Sequence, residues 1–132
     1  MDIIKIIPVF TDERGSLWDL LTNENIKHIG FLDSKKNSIR AKHFHKKEKQ
    51  YTLILKGKAK IIIKNLLDEK SLIETFELNE MEMILIPPFY YHSVESLTDS
   101  QILFFSTITR SEGGYENDTV RVENIESFKL DS

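Results

Sequence analysis

The sequence predicts an all-β domain, a small sandwich or barrel, and three observations carry that prediction. Isoleucine, valine, phenylalanine and threonine recur in short runs. Polar or glycine-containing breaks separate the runs, and helical periodicity is scarce. About ten such runs follow one another, the pattern of many short strands folded back and forth.

The elements follow in order. An isoleucine-rich start at 3–4 and 6–7 leads to strands at 16–21, 27–33 and 38–45. Segments 50–56 and 58–64 flank Gly57 and read as a hairpin whose turn is centred near that glycine. Further strands fall at 72–78, 83–86, 92–96 and 101–109. Only 65–71 and the stretch around 20–26 have helical character, and both are short. From 111 the chain is acidic and contains Gly113-Gly114; it reads as a last strand at 119–122 and then a loose tail. Parity supports the middle of this scheme. Ala59, Ile61 and Ile63 share one face of their strand, and Lys58, Lys60, Ile62 and Lys64 share the other.

With 132 residues, 40% hydrophobic and 30% charged, the chain has material for one core. We expect a single domain over 1–132, with its barrel at about 10–110, an N-terminal strand within 2–10 and the acidic tail from about 111. The absence of cysteine excludes disulfides, thiolate metal sites and a cysteine nucleophile. Asp2, Lys5 and Pro8 interrupt the apolar start, which is too short for a signal peptide or a membrane span. A cytoplasmic protein without a membrane partner is therefore expected.

The net charge of -3 hides a sorted distribution. Residues 40–64 hold nine Lys/Arg against one Asp/Glu, while 65–132 hold four against fourteen. The overall sign argues against a nucleic-acid partner. Alternation sends most of the central lysines outward, where charge discourages edge-to-edge pairing. Arg40 is the basic residue that survives as a ligand candidate.

Three of the four histidines fall in two clusters. His43 and His45, two apart, project from one face of a strand. His92 follows the segment Pro87-Pro88-Phe89-Tyr90-Tyr91. Such a trio can bind a divalent metal. It can equally supply a general base and its helper, or be structural. His28, alone before an apolar run, reads as incidental.

His43-Phe44-His45, Gln50 after four residues and Gly57 after six more resemble the first cupin motif, His-x-His, three or four residues, Glu, six residues, Gly. Pro87 with His92 five residues on resembles the second, Pro-x-Gly-x-x-His. The chain departs from the pattern at Gln50, in place of the metal-binding glutamate, and at Phe89, in place of the glycine. Arg40-Ala41-Lys42-His43-Phe44-His45-Lys46 looks like the Arg-Gly-x-His-x-His-Lys segment of nucleotide-sugar 3,4-ketoisomerases, which commonly carry Gln at the position of Gln50. Asp12-Glu13-Arg14-Gly15 resembles an opening those enzymes share with dTDP-4-keto-rhamnose 3,5-epimerases, although Gln50-Tyr51-Thr52 departs from the epimerase pattern. A sugar-biosynthetic reductase with a C-terminal, metal-binding cupin is a further relative on the same two blocks.

The resemblance implies a cupin jelly-roll β-barrel and a dTDP-4-keto-6-deoxyhexose in its mouth, isomerised or epimerised by proton transfer for surface-polysaccharide synthesis. It assigns catalysis to His43 as base and His45 as relay, with Tyr90 or Tyr91 as a phenol donor to the enolate oxygen. Arg40, Arg14, Gln50 and His92 would bind substrate, and no cofactor would be required. The alternative is a metal-dependent small cupin holding zinc, iron, manganese or nickel on His43, His45, Gln50 and His92. A non-catalytic carbohydrate-binding cupin is the third reading. Homodimers are usual in these families, and the start at 3–7 would either pair with a second copy or join its own sheet.

Overall fold

The computed structural model describes residues 1–130, so the last two positions of the predicted domain lie outside the described residues. Its strands are β1 (Ile4–Lys5), β2 (Phe10–Asp12), β3 (Gly15–Leu17), β4 (His28–Ser34), β5 (Ile39–His45) and β6 (Gln50–Lys56). There follow β7 (Ala59–Asn65), β8 (Glu74–Leu78), β9 (Glu82–Ile86), β10 (Tyr90–Ser96), β11 (Ser100–Ser106), the helix α1 (Gly114–Asp118) and β12 (Thr119–Arg121). Two five-stranded sheets, ordered β1-β9-β6-β11-β4 and β12-β5-β10-β7-β8, form a cupin jelly roll, and β2-β3 is a separate hairpin. The strand pairings are antiparallel, as expected for sheets whose strands alternate between a packed and an outer face.

Alternation builds the core. Ala59, Ile61 and Ile63 point inward from β7, meeting Ile54, Leu78, Ile84, Ile86, Val94 and Ile102. At the β6–β7 turn Gly57 has φ 89, and a Cβ there would lie 2.5 Å from the Asp99 carbonyl oxygen, so glycine is required on both counts. Each sheet is also covered outside by a chain terminus. Ile6, Leu20, Leu21 and Ile26 pack on Leu53, Met83 and Phe105.

Val120, Val122, Ile125, Phe128 and Leu130 pack with Phe44, Leu66 and Tyr91 on the other outer face. The segment from 111 is therefore not the loose tail its acidity suggested: its alternate apolar residues bury a face, and β12 pairs with β5. The α-helix lies in this segment, whereas 20–26 and 65–71 form loops and turns. The strand expected at 16–21 stops at Leu17, because the tight turn at Asp12–Arg14 commits it to a short hairpin. β1 pairs with β9 at a sheet edge, so the isoleucine-rich start joins its own sheet while leaving Ile4 and Ile7 exposed.

Candidate functional site

β5 and β10 are neighbours, and their register places His92 opposite His43. His43 and His45 share the inner face of β5, and the three imidazoles gather inside the barrel at centroid separations of 4.6 Å (His43–His45), 4.7 Å (His43–His92) and 5.4 Å (His45–His92). All three are buried, His92 completely.

Immediately before them β5 bulges. His43 faces His92 but Ala41 faces Ser93, so Lys42 is an extra residue, and Ala41 and Lys42 take φ of 71 and 58. The bulge resets the alternation. Arg40, three residues before His43, would point away from it on a regular strand, yet it lines the same cavity. Another left-handed residue is Phe89, φ 63, whose N–H donates to the His45 carbonyl oxygen at 2.8 Å while its ring stacks on Phe44. Ala41 and Phe89 stand where the related motifs carry glycine, and the backbone explains why. Left-handed φ costs a residue with a Cβ about 1–2 kcal/mol.

The turn between β5 and β6 is held by Asp118 at the end of α1. Its carboxylate accepts the N–H groups of Lys47 (2.8 Å) and Glu48 (2.9 Å), and its carbonyl oxygen accepts that of Lys46. This turns Glu48 inward, where it is fully buried with Oε2 2.7 Å from His45 Nε2. The contact is not aligned as a hydrogen bond, and both atoms lack a partner.

Hydrogen-bond accounting fixes the ring protons. His92 Nδ1 lies 3.1 Å from the Tyr90 carbonyl oxygen, which can only accept, so Nδ1 carries the hydrogen and Nε2 keeps a lone pair. The Thr119 hydroxyl donates its one hydrogen to the Tyr115 carbonyl oxygen at 2.7 Å. It therefore accepts from His45 Nδ1 at 3.1 Å, which leaves the His45 lone pair on Nε2 in the neutral ring. Among the described residues, five buried side-chain polar atoms have no hydrogen-bond partner, and four are His45 Nε2, His92 Nε2 and both oxygens of Glu48. The fifth is Nδ1 of His28, edge-on to Tyr115.

These residues fit a metal ion. One ligand atom from each of His43, His45 and His92 lies within 4.8 Å of the others. Hydrogen bonds at Nδ1 of two rings orient Nε2, the support that metal-binding histidines require. Burial, with the charges of His92, His45 and Arg121, pushes His43 down to about 3. Burial and His45 push His92 down to about 4, against the opposing pull of the Tyr90 carbonyl and Glu48. Both rings are thus neutral at physiological pH, as ligands must be. Burial, the largest influence, pushes the Glu48 carboxyl up, but the contact and charge of His45, the Ser106 hydroxyl and the charge of His92 together hold it below the ordinary glutamate range.

The cavity beside the cluster has a volume of about 190 Å³. It is lined by the polar groups of His43, Gln50, Thr52 and Tyr115, by Leu32, Val94, Ile102 and Phe104, and by Arg40, which is exposed beside Ala41. Gln50 donates from Nε2 to Thr52 Oγ1 at 3.2 Å. His45 and His92 lie behind His43, so of the trio His43 alone lines this space.

Other expected site residues fall elsewhere. Tyr91 is on the opposite face of β10 from His92 and packs in the outer cluster, as adjacent strand residues must. The Tyr90 ring packs against the core, and its contribution to the site is its carbonyl group. Arg14 is exposed and doubly bonded to Asp12, at 2.7 and 3.0 Å, beside the hairpin turn. The phenol that does line the cavity is Tyr115 on α1, its pKa raised by burial and by Glu48, with the Arg110 guanidinium 4.3 Å from its ring centre. Sequence reading missed Tyr115 and Asp118 as site residues and preferred Gln50 to Glu48.

A family model described as the polysaccharide biosynthesis C-terminal domain matches residues 10–119. The chain belongs to that family. No curated protein matches it in sequence. Among solved structures, QdtA, a sugar 3,4-ketoisomerase from Thermoanaerobacterium thermosaccharolyticum in complex with TDP, is 24% identical with a TM-score of 0.71, over 92% of this chain and 88% of that one. A mutant of the same enzyme was solved with TDP-4-keto-6-deoxyglucose. The dTDP-4-dehydrorhamnose 3,5-epimerase from Sulfolobus tokodaii is 19% identical with a TM-score of 0.73, over 98% of this chain and 84% of that one. The epimerase RmlC from Legionella pneumophila, in complex with dTDP-4-keto-L-rhamnose, is 14% identical with a TM-score of 0.76, over 93% and 72%. At these identities the likeness establishes the cupin fold of this polysaccharide-biosynthesis domain. Among its described residues no helix is long and apolar enough to cross a membrane.

Proposed function

We propose that this polysaccharide-biosynthesis domain is a cytoplasmic isomerase or epimerase of a nucleotide-linked 4-keto-6-deoxyhexose, supplying polysaccharide precursors. The observation that carries the reading is the lining of the cavity, which combines the polar groups of His43, Gln50, Thr52 and Tyr115 with aliphatic and aromatic side chains and an exposed arginine. A nucleotide-linked keto sugar without a 6-hydroxyl offers both polar and apolar groups to such a lining, and its diphosphate suits the planar fork of Arg40.

A ketone acidifies the adjacent C–H, and the negative charge that develops on its oxygen must be stabilised. Tyr115, kept protonated by its surroundings, and the Gln50 amide are the donors available for that oxygen. His43 lines the same cavity and is the candidate base. A ring pushed to about 3 is nevertheless a weak base at neutral pH and a suitable ligand. Together with the four unpartnered atoms, this favours the metal-assisted version of the reaction over the metal-free one. A divalent ion on the three histidines would supply Lewis-acid polarisation of the keto group. His43 would then help to hold the ion, and Tyr115 would hold the proton delivered to the enolate oxygen.

The test is incubation with dTDP-4-keto-6-deoxyglucose in deuterated water. Deuterium entering at C3 or C5, and lost in His43→Ala, supports the reading; no exchange at either carbon overturns it. We further propose a homodimer. Ile29 and Phe31 are exposed on the edge strand β4, and Phe10, Leu17 and Trp18 are exposed around the hairpin. A monomeric mass in light scattering at micromolar concentration would remove that proposal.

A further inference from the structure

We propose that Glu48, rather than Gln50, is the carboxylate ligand of a divalent transition metal ion held with His43, His45 and His92. The inference rests on the metal-assisted reading of the site and adds a ligand from outside the motif spacing.

Two lone-pair atoms 2.7 Å apart in a dry interior, as His45 Nε2 and Glu48 Oε2 are, repel unless positive charge lies between or beside them. A proton would satisfy that one pair. It would leave His92 Nε2 and the second Glu48 oxygen unserved. A single cation held by the three histidines, with the Glu48 oxygen that lies 2.7 Å from His45 Nε2 beside it, would serve them together, and neutral imidazoles with a carboxylate suit zinc and its neighbours.

Gln50 is the weaker candidate. It is uncharged, its amide already donates to Thr52, and it faces the substrate cavity. The fold also spends structure on aiming Glu48. Asp118 gathers the two N–H groups that turn the chain at Lys47 and Glu48, while Lys49 goes outward to Glu24. A fully buried carboxylate with no hydrogen bond is costly to keep, and its retention points to a ligand.

The experiment is to strip purified full-length protein with a chelator and titrate it with zinc and with cobalt(II). Metal per chain, affinity by competition and the cobalt visible spectrum are read for wild type, Glu48→Gln and Gln50→Ala. One ion per chain is expected in wild type. Glu48→Gln should weaken binding by about 100-fold or more and alter the cobalt spectrum, whereas Gln50→Ala should change both little. Melting of the stripped proteins gives a second readout. Stripped Glu48→Gln should melt at or above stripped wild type, because it no longer buries an uncompensated carboxylate. If wild type binds no ion, the metal reading of the site fails. If wild type binds and Glu48→Gln binds equally well, the histidine site stands and Glu48 is not its ligand.

Discussion

Glu24 and Glu48 lie on opposite sides of the sheet that contains β6, and the protein satisfies one and not the other. Glu24, on the loop covering the outer face, accepts Lys49 Nζ at 2.7 Å and the Tyr51 hydroxyl at 2.7 Å. Glu48, one residue before Lys49, is fully buried on the inside with neither oxygen hydrogen-bonded. The outer region is complete as it stands: its charges are paired, and its function is to pin a loop. The inner region holds four of the five unpartnered buried atoms among the described residues, the pattern expected of a site that binds something further. Within one small barrel, polar satisfaction separates architecture from active site more sharply than conspicuous charge does.

The largest effect that would break this contrast comes from His92→Ala. Removing a fully buried ring from the cluster should abolish metal retention and lower deuterium exchange by about 1,000-fold or more, as loss of a ligand that polarises the carbonyl would. Exchange within a few-fold of wild type would mean that the unpartnered atoms do not report the catalytic centre. Next is Tyr115→Phe, which leaves the cluster intact and removes one donor from the cavity wall. We expect about a 100-fold loss of exchange rate with metal content unchanged. A normal rate would return the donor role to Gln50 alone.

Asp118→Ala sharpens the comparison from the structural side. It removes the acceptor for two backbone N–H groups in the turn that aims Glu48. Each buried donor left unpaired costs about 1–3 kcal/mol, so a lower melting temperature is expected. Metal affinity should fall about tenfold as Glu48 loses its aim. Lost stability with undiminished affinity would show that the turn and the site are independent.

How much of this was legible in the sequence depended on where alternation holds. Along β7 the parity of Ala59, Ile61 and Ile63 predicted the inner face correctly, because the strand is regular. At β5 the bulge at Lys42 resets the phase, so a strict two-residue period counted from His43 would turn Arg40 away from the cavity that it lines. Glu48 follows a strand end, where the turn rather than the two-residue period sets direction, and Asp118, which sets it, is seventy residues away. Tyr115 and Asp118 were hidden by an acidic, glycine-containing segment that looks like a tail. Its alternate apolar residues were the signal that could have found it. The glycine departures carried more than they first showed, since Ala41 and Phe89 both mark left-handed backbone. Ala41→Gly should therefore raise stability by about 0.5–1 kcal/mol without loss of metal, and a lower melting temperature would show that the Cβ at the bulge is needed for packing.

The smallest effect belongs to Glu24, and it tests the satisfied half of the comparison. The Lys49 ammonium, and then the Tyr51 hydroxyl, hold its carboxyl below the ordinary glutamate range. Its folded pKa is therefore lower than its unfolded one, and between the two values the unfolded chain binds more protons. The stabilisation it provides is complete above the ordinary glutamate value and fades as pH falls through the depressed folded value. Glu24→Gln should lower the melting temperature slightly at neutral pH, with the gap from wild type closing as pH falls below the ordinary glutamate value. Lys49 is substantially exposed, so added salt should shrink the gap as well. Metal content and deuterium exchange should not change, because the loop that Glu24 pins lies across the sheet from the histidines. A gap independent of pH would assign the effect to packing of the loop instead of the ion pair. A loss of metal in this variant would show that the outer face and the site are coupled through β6, which the contrast between the two glutamates denies.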